Sequence, residues 1–81
     1  GKYHSKYFGD IEIRQLDGRL ILTDSLAPPG LQTILIPMGT DRFIMSGGDE
    51  DGESALFETN ADGSVRAINT AGYRFEFLKK L

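Results

Sequence analysis

Cysteine and tryptophan are absent from the 81 residues, and histidine occurs once. Without cysteine the chain holds neither a disulfide framework nor a thiolate metal site, although this leaves an extracytoplasmic home open. Long apolar runs are missing too: none exceeds three residues, as in Leu20-Ile21-Leu22 and Ile34-Leu35-Ile36. A membrane-spanning helix needs about 20 apolar residues and a signal segment at least about 7, so neither is expected and no membrane insertion is foreseen. Cationic excess is lacking. Nine Lys and Arg stand against twelve Asp and Glu, and the net charge of −3 argues against nucleic acid and anionic membranes as partners. Nor does the chain start with Met, which reads as a piece cut from a longer protein.

What is present is the composition of a folded domain. Hydrophobic residues make up 40% and charged residues 26%, enough apolar material to argue against disorder. The length allows one domain over residues 1–81 and one modest core. Ten glycines and three prolines punctuate the chain at Asp17-Gly18, Ala27-Pro28-Pro29-Gly30, Met38-Gly39-Thr40-Asp41, residues 47–52, Asn60-Ala61-Asp62-Gly63 and Thr70-Ala71-Gly72. The segments between them are of strand length, too short for typical helices.

Their pattern agrees. Residues 10–14 alternate strictly, with Ile11 and Ile13 on one face, and residues 72–78 place Tyr73, Phe75 and Phe77 opposite Arg74 and Glu76. Leu20 and Leu22, Phe43 and Met45, Ala55 and Phe57, and Val65 and Ala67 give inward faces to four more segments, with Ile68 falling off register. Residues 33–37 carry three consecutive large apolar side chains, as in a strand covered on both sides. Asp17-Gly18 and Asp62-Gly63 suit tight primed hairpin turns.

The expected fold is therefore all-β: a small antiparallel up-and-down barrel of seven to eight short strands, its interior packed by side chains. The expected core is Ile11, Ile13, Leu20, Leu22, Phe43, Phe57, Phe75 and Phe77.

Chemistry-bearing patterns are sparse. The lone histidine, His4, lies near the chain end between Tyr3 and Ser5, and reads as an exposed side chain. No G-x-S-x-G or S-x-x-K occurs to supply an activated nucleophile, so no catalytic residue is assigned. Glu58 to Asn69 has the middle of a calcium loop in Asn60, Asp62, Gly63 and Val65. Glu58 and Asn69 are wrong for its first and twelfth positions, however, and a hairpin turn accounts for the rest. Gly47-Gly48-Asp49-Glu50-Asp51-Gly52-Glu53 gathers four carboxylates in what reads as a solvated loop. No metal or cofactor site is assigned.

The order of marks is distinctive. Gly1-x-Tyr3 is followed by Phe8-Gly9-Asp10-Ile11-x-Ile13 and Asp17-Gly18-x-Leu20-x-Leu22. Then come Leu35-x-Pro37-x-Gly39-x-Asp41-Arg42-Phe43 and Phe57-x-x-Asn60-x-Asp62-Gly63-x-Val65. This series, running from Gly1 to about Phe77, resembles the small lipocalin-like domain that follows the catalytic domain in serine hydrolases of the beta-lactamase and penicillin-binding type. The resemblance implies a non-catalytic accessory barrel at the C-terminal end of a larger protein. It would pack on the upstream catalytic domain of the same chain, or on a partner subunit in a homo-oligomer, to shape active-site access or assembly. It carries over no catalytic residue, since the nucleophile, lysine and tyrosine lie upstream, and it implies a periplasmic or extracellular setting. The acidic stretch of residues 47–53 departs from the pattern.

Such a domain needs a docking surface. If Leu35 and Pro37 face inward, Ile34 and Ile36 face outward, with Ile21 and Ile44 beside them as a possible docking face. The alternative is an autonomous small-ligand-binding barrel, which requires a cavity with a polar anchor.

Overall fold

A computed structural model describes residues 1–24, 31–48 and 51–81. Among these the chain forms eight strands: β1 (Lys2–Ser5), β2 (Gly9–Leu16), β3 (Arg19–Asp24), β4 (Thr33–Gly39), β5 (Arg42–Ser46), β6 (Ser54–Thr59), β7 (Val65–Thr70) and β8 (Tyr73–Lys79). Each pairs antiparallel with its sequence neighbours, and β1 pairs with β8, closing the barrel. Closure gives every strand a neighbour on both sides, so a chain this short has no edge strand to cover with a helix. The all-β barrel expected from the two-residue periodicity is the observed fold.

β1 is the element that the periodicity missed. It is short and mostly polar, yet Tyr3 and Ser5 are buried while Lys2 and His4 point away. Its ladders to β2 and β8 complete the wall.

Tyr3, Ile11, Ile13, Leu22, Leu35, Met45, Ala55, Ile68 and Phe75 form the core cluster, with Leu20, Phe43, Phe57, Phe8 and Val65 half-buried against it. Phe75, Met45 and Ile68 fill the middle of the barrel. From the β1–β2 turn, Phe8 packs on Phe75 and Tyr73 with ring centroids 5.3 and 5.4 Å apart, stopping one end. Three details differ from the sequence reading. Phe77 points inward beside Tyr3 but is 43% exposed, because it stands at the opposite, open end. Ala67 is on the outer face and Ile68 on the inner. A bulge at Glu58/Thr59 leaves Arg66 without a counterpart, so Val65 and Ile68 both turn inward. Asp62-Gly63 is not a primed two-residue turn: only Gly63 has positive φ, at 87°. Gly63 N–H donates to Asn60 C=O at 3.0 Å and Asn60 N–H to Ser64 C=O at 2.8 Å, a turn followed by a left-handed residue. Asp17-Gly18 does form the primed turn, with φ of 52° and 77°.

Residues 25–30, which include the Ala27-Pro28-Pro29-Gly30 turn, lie outside the described residues, as do Asp49 and Glu50 of the acidic stretch.

Candidate docking face

Alternation along each strand decides which side chains leave the barrel. On β4, Thr33 and Leu35 are buried, so Ile34 and Ile36 stand on the outer face. The ladders then bring the four isoleucines together. Ile21 pairs with Ile34 across β3 and β4, and Ile36 pairs with Ile44 across β4 and β5. Directly opposed residues of this kind have Cβ atoms about 4.5–5.5 Å apart, so the four form one contiguous row.

They are not equally open. Ile21 is 8% exposed although it lies outside the core cluster, Ile34 and Ile44 are half-buried, and Ile36 is 44% exposed. Three further apolar side chains extend the face. Leu16 leaves the wall beside Arg19, Leu56 beside Arg42, and Met38 is the extra residue of a bulge between Pro37 and Gly39. All three are exposed. The alternation of β2 and β6 could have assigned Leu16 and Leu56, but the bulge that frees Met38 has no sequence mark beyond Pro37 and Gly39.

Most ion pairs lie elsewhere on the outer surface, on β1, β2, β7 and β8 and at Glu58 of β6. Asp10 bridges His4 Nδ1 at 2.6 Å and Lys2 Nζ at 3.4 Å, and Arg14 holds Glu12 at 2.9 Å. Arg74 grips both oxygens of Glu58, at 2.8 and 3.0 Å, and also meets Glu76. Asn69 donates to Glu58 at 2.7 Å. The Arg74 and Asn69 donors hold the Glu58 carboxyl down at about 2, and the His4 contact, ahead of Lys2, lowers that of Asp10.

The remaining sequence candidates sort themselves by the same geometry. His4 and Ser5 are adjacent, so His4 faces outward and Ser5 is buried within. In the calcium-like stretch, Glu58 is engaged by Arg74 and Asn69, while Asp62 Oδ1 accepts from Ser64 N–H at 2.9 Å and Ser64 Oγ at 2.6 Å. In the acidic loop, Asp51 accepts the Gly47 N–H at 2.7 Å. At the open end, Tyr3, Ile13, Val65 and Phe77 floor a cavity of about 680 Å³ with Asn60 and Asp62 at its rim.

Fold and site together define a small closed antiparallel barrel whose ion pairs gather on β1, β2 and β6–β8 and whose outward isoleucines gather on β3–β5. Compared with family models, curated proteins and solved structures, the chain finds no match.

Proposed function

We propose that this barrel is a non-catalytic accessory domain of a serine hydrolase of the beta-lactamase type, held against the catalytic domain by the outer face of β3–β5. The observation that carries the docking role is the contiguous row of Ile21, Ile34, Ile36 and Ile44 on the outside of a wall whose inside already has a core. Ile21 is already enclosed by the barrel, but the exposed part of the patch at Ile36, with Met38 and Leu56, costs solubility, and a covering partner accounts for it. The hydrolase context draws on the order of marks from Gly1 to Phe77.

The reading frame around these residues should encode S-x-x-K followed by Y-x-N or Y-x-S upstream. With that catalytic domain expressed separately, calorimetric titration should show binding to the barrel that weakens about tenfold or more in the Ile34→Thr/Ile36→Thr variant, as for loss of a central apolar anchor. Unchanged binding by a folded double variant, or an upstream frame lacking those motifs, would overturn the proposal.

One observation favours a second reading, an autonomous ligand barrel: the open end exposes Phe77 above an apolar floor. That reading requires a small apolar ligand retained by the wild type and lost by Phe77→Ala.

A further inference from the structure

The apolar face is breached. Among the described residues β3 and β4 share three rungs, Leu20 with Leu35, Ile21 with Ile34 and Leu22 with Thr33, as many as β5 and β6 but half the six of β2 and β3. Beyond Leu35 the ladder stops, and Pro37 has no N–H with which to continue it. On its other side the same stretch of β4 stays paired with β5. The wall therefore opens between β3 and β4 into a cleft of about 480 Å³. Core-facing Leu20, Leu35, Pro37 and Phe43 line it, and Ile34 and Ile36 flank it on the outside.

Charge marks one margin of this cleft. Arg19, next to Leu20 on β3 and exposed, lines it directly. Arg42, paired with Gly39 and Leu56, adds a second exposed cation at the same end of the sheet. Lys2, Arg14 and Arg74 each hold a carboxylate, but among the described residues neither Arg19 nor Arg42 makes an ion pair, although Asp17 and Asp41 occupy the nearby turns. The cleft thus joins an apolar floor to cations with no partner of their own.

We propose that the cleft receives a segment of a neighbouring protein domain that carries a bulky apolar side chain flanked by carboxylates. The side chain enters between β3 and β4, and the carboxylates meet Arg19 and Arg42. The assignment rests on the docking role proposed above and adds the chemistry of what docks. A second copy of this chain fits poorly, since an isologous contact puts the same patch on both sides, bringing the Arg19 and Arg42 pairs of both copies into one interface without supplying a carboxylate-flanked apolar segment.

The test is fluorescence anisotropy with three labelled heptapeptides sharing a Leu-Phe-Leu centre, flanked on each side by two Glu, two Ser or two Lys. The net charge of −3 attracts the Lys peptide from a distance, so the ranking by local charge opposes the ranking by net charge. The Glu peptide is expected to bind about tenfold more tightly than the Lys peptide, and Arg19→Glu/Arg42→Glu to reverse that order. Both positions are exposed, and a far-UV spectrum verifies that the variant is folded. Equal or tighter binding of the Lys peptide, an order unchanged by the double reversal, or no binding of any peptide would each overturn the inference. So would a sedimenting dimer that dissociates on Ile34→Thr/Ile36→Thr, because the occupant would then be a second copy. Titration against the catalytic domain is independent of the peptide ranking, so docking can hold while the acidic segment fails.

Discussion

The two halves of the barrel wall share one core and differ in how they meet water. On β1, β2, β7 and β8 several outward side chains pair with one another or with Glu58 of β6, as in Lys2–Asp10 and Glu58–Arg74–Glu76, although Leu16 and Leu78 stand exposed among them. Beneath that second group Ala67 is fully buried on the outside of the sheet, opposite Glu58 and Glu76. Long paired side chains lay their stems over the wall and seal it. On β3–β5 nothing equivalent among the described residues covers Ile36, and the ladder itself opens beyond Leu35. One half is covered largely by its own paired side chains, while the other leaves apolar surface exposed beside two cations that make no ion pair among the described residues.

The largest effect should fall on what the halves share. Phe75 is 1% exposed in the middle of the barrel, so Phe75→Ala should cost about 3–5 kcal/mol in urea unfolding followed by far-UV dichroism. A loss below about 1 kcal/mol would mean that the inward face is misassigned and the contrast between outer halves is void. Within the apolar half the next contrast is sharper. Ile21→Ala should cost about 2–3 kcal/mol, because its side chain is enclosed although it faces outward. Ile36→Ala should cost less than about 1 kcal/mol, because much of that side chain is already in water. Equal losses would show that the face is uniformly covered and no patch waits for a partner.

Most of this architecture was legible in the sequence because a two-residue period survives composition. The strict alternation of Ile11 and Ile13, or of Phe75 and Phe77 against Arg74 and Glu76, dictates which way each strand faces. β1 escaped because Lys2, Tyr3, His4 and Ser5 offer one large apolar residue, and its place comes from tertiary closure between β2 and β8. Ile68 looked out of register because a bulge, which adds one residue to one strand, inverts the alternation beyond it. Periodicity gives the inward direction of Phe77 but not its 43% exposure, since it says nothing about where a barrel opens. For the docking face, the run Ile34-Leu35-Ile36 announced a strand with two apolar sides, but the cleft depends on where a ladder stops. Pro37 hinted at that stop without giving the partner strand.

The smallest effect tests the ion-paired half, through Glu58. Its carboxyl sits at about 2 in the folded barrel, well below the ordinary carboxylate value, because Arg74 and Asn69 hydrogen-bond the ionised form. A carboxyl whose folded value is depressed stabilises the fold fully above its unfolded value, near 4.5, and loses that contribution as pH falls through the folded value. The difference in urea midpoint between wild type and Glu58→Gln should therefore be greatest above about pH 5 and shrink steadily towards pH 2. Because the pair is solvent-exposed, the difference should be smaller than that for Ile21→Ala, and 1 M NaCl should reduce it further. A difference that stays constant from pH 7 to pH 2 would place the contribution of Glu58 in packing rather than charge. The wall of β7 and β8 would then be sealed for the same apolar reason as the core, and the two halves of the barrel would differ only in which residues are left uncovered.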